Sequence, residues 1–354
     1  MKVAVTIRMG HDYVADWKTT MNYVVEAERL GAEYVYTAEA WVHDVVSVLG
    51  FLAAKTERIE LVSGIMQAGT RTPGLVAMTA QTLQELSDGR LILGLGTSGP
   101  QVIEGWHGIP FKRPLTRMRE IIDVVRLVSR GERLVYKGKV YELPLPGGEG
   151  KAIRSPIKDL WPVPIYLGTL SPRSLELTGE IADGWIGAQF EPELADHFLK
   201  PIAAGAERAG RKLSDVDLHV GVGVEFTDDV DRAVAKRKGG VAFSMGAMGS
   251  ENTNFYAALY RRSGYADGVQ RVQELWRAGD REQAQAAVPD EIILRQNLIG
   301  TETMVRERLR AYRDAGISTI RVGREGATPA EWQGNLGRIV RLADEVGAEQ
   351  PAVR

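Results

Sequence analysis

The chain predicts a (β/α)8 barrel. Three observations carry that expectation: eight short apolar runs, helix-period apolar stripes between most of them, and a repeated passage from helix to strand through a glycine. The runs fall at residues 3–8, 34–37, 60–64, 91–96, 164–168, 184–187, 218–225 and 319–323.

In order along the chain, 3–8 reads as the first strand and 16–30 as a helix stopped by Gly31, which suits the left-handed position just past a helix end. The second strand follows within a few residues. The same passage recurs at Ser87-Asp88-Gly89 before LILGLG, at Ala182-Asp183-Gly184 before WIG, and at Ala315-Gly316 before STIRVG. Helix starts are marked by Thr72-Pro73, Ser171-Pro172 and Thr328-Pro329, a hydroxyl cap followed by proline at the first helical position. Glu331 stands where a capping box with Thr328 needs it. Met118, Ile121, Ile122, Val125 and Val128 share one helix face, as do Leu336, Ile339, Val340, Ala343 and Val346; both stripes read as core. Two stretches break the alternation. Residues 132–162 read as a hairpin, RLVYKGKVYEL, and a proline- and glycine-rich loop, while 229–299 read as helical. Both are expected as insertions at the barrel mouth, within a single domain spanning 1–354.

Forty-four basic and 46 acidic residues, spread along 354 positions for a net charge of −2, leave no basic stripe for a phosphate backbone, so no nucleic-acid role is expected. The absence of cysteine excludes disulfides, thiolate nucleophiles and zinc–thiolate sites; no metal site is expected. Arg8 interrupts the N-terminus too early for a signal-peptide core, and the longest nearly apolar run, 45–54, is too short to span a bilayer. A soluble, cytoplasmic protein without membrane contact is expected.

The chemistry concentrates where strands end. In LILGLGTSGPQVIEGWHG, residues 91–108, a buried run gives way to Gly94, Gly96 and Gly99 with the hydroxyls of Thr97 and Ser98, a turn whose N–H groups suit an anion. The letters also fit a dinucleotide fingerprint, Gly94-x-Gly96-x-x-Gly99 with Glu120 about twenty residues on, but Glu120 falls inside a helical stripe rather than at a second strand's end. A plain glycine-rich connection and a phosphate cradle both remain open on these residues alone. A barrel collects its site from strand C-termini. That gathers Glu39, Trp41, His43 and Asp44 after strand two; Ser63, Gly64, Ile65, Met66 and Arg71 after strand three; Glu104, Trp106 and His107 after strand four; Gly168, Thr169 and Leu170 after strand five.

The runs AEAWVHDVVSVLGFLAAKTERIEL, SGIMQAGTRTPGLVAMTAQTLQELSDGRLILGLGTSGPQVIEGWHGIPF, VPIYLGTLSPRSLELTGEIADGWIG, NFYAALYRRSGYADGVQRVQELW and AAVPDEI resemble the luciferase-like monooxygenase superfamily, in its branch dependent on the deazaflavin coenzyme F420. The resemblance covers nearly the whole chain. It implies a barrel with insertions, a homodimer, and a hydride-transferring cofactor at the C-terminal face. Carried over by position, it places the cofactor phosphate at Gly96, Thr97, Ser98 and Gly99 with Gly168, Thr169 and Leu170 opposite, and implies that Ser63, Gly64 and Ile65 form a bulge with a non-prolyl cis peptide, Gly64 to Ile65, backing the tricyclic ring. Trp41, Met66, Trp106 and His107 are then expected to line a substrate site.

This sequence departs from the branch at two positions. Ala40 stands where alcohol-oxidising members carry histidine after the acidic residue, and Gly99 where they carry glutamate. The proton-handling candidates that remain are Glu39, His43, Asp44 and Glu104. Each has a structural reading beside the catalytic one. Glu39 suits backbone hydrogen bonds, His43 and Asp44 suit a helix cap, and Glu104 suits a salt bridge with Arg113 or Arg117. The functional expectation is an F420-dependent oxidoreductase exchanging hydride with a small, apolar organic substrate. The alternatives are an FMN-dependent two-component monooxygenase and an F420-binding protein without catalysis.

Overall fold

The computed structural model describes residues 1–7, 16–157, 159–249 and 253–349. Eight parallel strands close on themselves: β1 (Lys2–Ile7), β2 (Tyr34–Thr37), β3 (Glu60–Ser63), β4 (Leu91–Gly96), β5 (Ile165–Gly168), β6 (Gly184–Gly187), β7 (Asp217–Phe226) and β8 (Thr319–Val322). Each pairs with the next, and β8 returns to β1 with Lys2 opposite Thr319 and Val5 opposite Val322. This is the barrel the sequence predicts, with strand limits within a residue of the expected ones; Arg8, the expected end of the first, lies outside the described residues.

Strand alternation sorts the core into two layers. Val3, Val5, Val35, Leu61, Leu93, Val220 and Ile320 point outward and pack under the helices. Ala4, Tyr34, Tyr36, Val62, Ile92, Tyr166 and Ile186 point inward and fill the barrel. That interior carries one polar chain. The Tyr36 hydroxyl meets His219 Nδ1 at 2.6 Å, His219 Nε2 meets Asp217 at 2.7 Å, and the Tyr166 hydroxyl donates to Asp217 at 2.7 Å. Every partner is satisfied, as a buried polar group requires.

The helix caps form where their residues mark them. Thr72 accepts from Leu75 N at the start of Pro73–Leu86, and Ser171 and Thr328 complete capping boxes at the starts of Pro172–Ile181 and Pro329–Ala348. The hairpin pairs Tyr136–Lys137 with Glu142–Leu143, and Glu120 explains its position. This buried carboxylate, on helix Pro114–Ser129, accepts from the backbone N–H groups of Lys139 at 2.6 Å, Val140 at 3.0 Å and Tyr141 at 2.8 Å. Glu120 is therefore a hairpin anchor rather than the ribose-binding acid of a dinucleotide fingerprint.

Between β7 and helix Glu302–Asp314 the chain builds helices Val230–Gly246, Phe255–Tyr260, Ala266–Arg277, Arg281–Ala286 and Asp290–Gln296, which share an apolar cluster of their own around Met245, Tyr260, Val272 and Ile292. A short strand, Asn297–Gly300, extends β7 alongside 223–226; its two buried apolar residues, Leu298 and Ile299, are too few to signal a strand in the sequence. No helix among the described residues is long and apolar enough to cross a membrane.

Candidate functional site

At the C-terminal mouth the loops after the strands enclose a cleft of about 480 Å³. Its floor is built by an interruption of β3. After Ser63 the peptide Gly64–Ile65 is cis, as the resemblance implies, and the chain then resumes pairing at Met66–Gln67 beside Leu95–Gly96 of β4. Gly64 N donates to Thr37 O at 2.7 Å and Glu39 N to Ile65 O at 3.1 Å, which ties the bulge to the end of β2. Ile65 is thereby turned into the mouth.

The neighbouring glycines owe their identity to this bulge. A Cβ on Gly96 would lie 2.9 Å from Ile65 Cγ1, and one on Gly168 would lie 2.6 Å from Ile65 Cγ2. A Cβ on Gly94 would fall 1.8 Å from Ser63 O. Three glycines read in the sequence as phosphate contacts or fingerprint letters are thus demanded first by close backbone and side-chain approach. Gly99 differs, since a Cβ there would meet nothing within 4 Å; its small size leaves the cleft open.

Most of the expected cofactor contacts meet in this cleft: Gly64, Ile65, Gly96, Thr97, Ser98, Gly99, Gly168, Thr169 and Leu170 all line it. Ser98 takes a left-handed conformation, φ 55°. The N–H groups of Ser98, Gly99, Thr169 and Leu170 donate to no acceptor among the described residues. The Thr169 hydroxyl turns inward instead, to Thr178 at 2.7 Å. Ser63 is the exception. Its hydroxyl donates to Gly94 O at 2.9 Å and accepts from Gly94 N at 2.8 Å, so it is fully buried between β3 and β4.

The acidic and substrate-lining candidates divide more sharply. Glu39 and Trp41 line the cleft. Glu39 is held on both oxygens by Arg71, Nη1 to Oε2 at 2.7 Å and Nη2 to Oε1 at 2.8 Å, and also accepts from Gln67 N at 3.1 Å. This hydrogen bonding raises the Arg71 pKa above its ordinary value. Asp44 caps helix Val45–Ala53, accepting from Ser47 N at 2.9 Å. Partial burial opposes its ionisation, and the cap hydrogen bonds outweigh that and lower its pKa. His43 lies edge-on to Trp17, ring centroids 5.1 Å apart. Neither His43 nor Asp44 is among the cleft-lining residues.

Glu104 accepts from Phe111 N at 2.9 Å rather than pairing with Arg113 or Arg117. Like Trp106, 65% exposed, and His107, it faces solvent outside the cleft lining, because the turn after the short helix Pro100–Ile103 carries these side chains away from the mouth. Met66 corrects the expectation in the other direction. It is fully buried in the outer core layer, because strand alternation past the bulge sends Ile65 to the mouth and Met66 to the helices.

Several lining residues went unnoticed in the sequence. Met248, Gly249, Thr253, Phe255 and Tyr256 come from the helical segment after β7, and Gln101 Nε2 donates to Gly249 O at 2.8 Å across the mouth. Burial pushes the Tyr256 hydroxyl pKa up. Arg321 comes from β8, where alternation points it inward with Thr319; a lone arginine in TIRV gave the only signal. No cluster of three or more histidine, aspartate or glutamate residues among the described residues could hold a metal.

The pattern of the luciferase-like monooxygenase family matches residues 1–319. The chain is 39% identical over 305 residues to a Mycobacterium tuberculosis protein whose provisional name is coenzyme F420-dependent oxidoreductase, covering 84% of this chain and 88% of that one. It is 28% identical over 324 residues to the 5,10-methylenetetrahydromethanopterin reductase of Archaeoglobus fulgidus, covering 90% and 93%. The solved structure of the coenzyme F420 dependent tetrahydromethanopterin reductase from Methanopyrus kandleri shares the fold, with a TM-score of 0.77 over 96% of this chain and 98% of that one at 23% identity. With that pattern running through the closed barrel and its bulged third strand, the chain belongs to the luciferase-like monooxygenase family.

Proposed function

We propose that this protein is an oxidoreductase that uses coenzyme F420 to exchange a hydride with a small, largely apolar organic molecule. The observation that carries the reading is the meeting, in one cleft, of the Gly64–Ile65 bulge with the open walls at 96–99 and 168–170, in a chain whose relatives bear F420-dependent names. The residues fit such a cofactor. Gly99 leaves room, the N–H groups of Ser98, Gly99, Thr169 and Leu170, without an acceptor among the described residues, suit a phosphate, and Ile65 offers an apolar support for a ring. When bound, the deazaflavin supplies the carbon that gives or takes the hydride.

This chain's own residues bind, orient and handle the proton. Thr97, Ser98, Gly99 and Thr169 would fix the phosphate end and so set the ring against Ile65. Trp41, Val102, Leu115, Leu170 and Phe255 would exclude water and receive an apolar body. Glu39 is the carboxylate of the cleft lining, so proton exchange with the substrate falls to its Oε atoms, positioned by Arg71. Glu104, His43 and Asp44 take no direct part in this reading. Titrating the purified protein separately with F420, reduced F420 and FMN tests it. Tight F420 binding with turnover on a panel of enones, imines and alcohols supports it. The family description, a luciferase-like monooxygenase, favours a second reading, an FMN-dependent two-component monooxygenase, and micromolar binding of FMN alone would overturn the F420 reading. Binding of F420 with no turnover would leave a cofactor-binding protein.

A homodimer is part of the proposal. Leu75, Met78 and Leu86 lie on the exposed face of Pro73–Leu86, with Phe51 exposed on the neighbouring helix Val45–Ala53, an apolar patch that a second copy would cover. Sedimentation of Met78→Glu beside the wild-type chain checks this, the variant being expected as a monomer. A chain without cysteine suits a reducing cytoplasm.

A further inference from the structure

Arg321 is the one cation among the described residues that line the cleft. The one carboxylate there, Glu39, is already neutralised by the bidentate contact with Arg71, so the cleft carries an uncompensated positive charge. Room for that charge is built into the register, where Arg321 lies between Ala4 of β1 and Gly221 of β7, and a Cβ on Gly221 would stand 3.3 Å from Nη2. The guanidinium lies 4.8 Å from the ring centroid of Tyr36, and Nη2 donates to Gly187 O. Its Nε is buried and has no partner among the described residues. Arg321 is half-buried in the cleft wall and has no carboxylate partner among the described residues, and the planar fork of arginine matches paired oxygen acceptors.

We propose that Arg321 is the cleft's anchor for an oxyanion, a negatively charged oxygen on an otherwise flat, apolar ligand. Two sources share that chemistry: a carboxylate or enolate oxygen of the substrate, and an ionised ring oxygen of the deazaflavin. The proposal rests on the cofactor reading only for the second source.

The test compares benzoate with its neutral isostere benzamide on the full-length protein by calorimetry. Benzoate is expected to bind the wild type at least about tenfold more tightly, the size of one charge-assisted hydrogen bond. Arg321→Met abolishes that preference while leaving benzamide binding intact, which also shows that the cleft still folds. Arg321→Lys, which keeps the charge without the fork, retains a part of it. Equal binding of the two probes to the wild type, or a benzoate preference that persists in Arg321→Met, overturns the proposal. A parallel F420 titration assigns the source. If the cofactor is the anion, Arg321→Met weakens F420 binding and shifts its bound absorption from the ionised toward the neutral chromophore; if the substrate is, both stay unchanged. Should F420 fail to bind the wild type while the benzoate preference stands, the cofactor reading falls and the anchor remains.

Discussion

Replacing Glu39 by glutamine should cost the fold measurably, because it removes the charge that the Arg71 guanidinium is built around. The pair makes two contacts, at 2.7 and 2.8 Å, and its side chains are only 16% and 8% exposed. Solvent screening that makes surface pairs weak is therefore largely absent. Fully buried pairs lose about 3 to 5 kcal/mol when one partner goes; a glutamine still offers one acceptor, so about 2 to 4 kcal/mol is expected for Glu39→Gln. For a 354-residue chain, an unfolding entropy near 2 cal/mol/K per residue turns that into a fall in Tm of about 3 to 6 °C. A double-mutant cycle with Arg71→Met, read by urea unfolding, isolates the pair. The double variant should be less destabilised than the two singles together, with a coupling of about 2 kcal/mol. A coupling below about 0.5 kcal/mol would refute the reasoning and make the contact no stronger than a surface pair.

Glu120→Ala should release the hairpin, since three backbone N–H groups lose their acceptor; a cost of about 3 kcal/mol and accelerated amide exchange at Lys139, Val140 and Tyr141 are expected. Gly168→Ala puts a methyl 2.6 Å from Ile65 Cγ2 and should weaken F420 binding at least about tenfold, read by titration beside the wild-type chain. Stability should fall on the acid side in two stages. Burial lowers the His219 pKa, so the unfolded chain binds the extra proton first and stability declines as pH drops below about 6.5. For Asp217, burial is outweighed by hydrogen bonds from His219, Ser318 and Tyr166, which hold its carboxyl well below the usual range. Its contribution is lost only as pH falls below about 3.9 and toward that lowered value. Urea midpoints measured from pH 8 to pH 3 check both stages, and His219→Gln should remove the first.

The barrel was legible in the sequence because each strand and cap is a local pattern. LILGLG between Gly89 and Thr97, or Thr72-Pro73 before a helical stripe, needs no distant partner to be read. The candidate site was legible where loops meet the strand ends directly, at 64–65, 96–99 and 168–170. It was illegible where direction depends on a bulge or a turn. Ile65 and Met66 are adjacent, yet only the bulge decides which faces the mouth; Glu104, Trp106 and His107 follow the right strand but sit on a turn that leads away from it.

The sequence by itself determined the eight strands, the helix caps, the absence of thiol chemistry and the position of the glycine-rich wall, because periodicity and composition act over a few residues at a time. Only the tertiary structure decided what those residues touch. It showed that Gly96 and Gly168 make way for Ile65, that Glu39 is closed by Arg71, that Glu120 holds a hairpin, and that Arg321 points its charge into the mouth. Those contacts join residues about twenty or more positions apart, most of them between neighbouring units of the barrel, and Arg321 takes its place only where the eighth strand closes on the first.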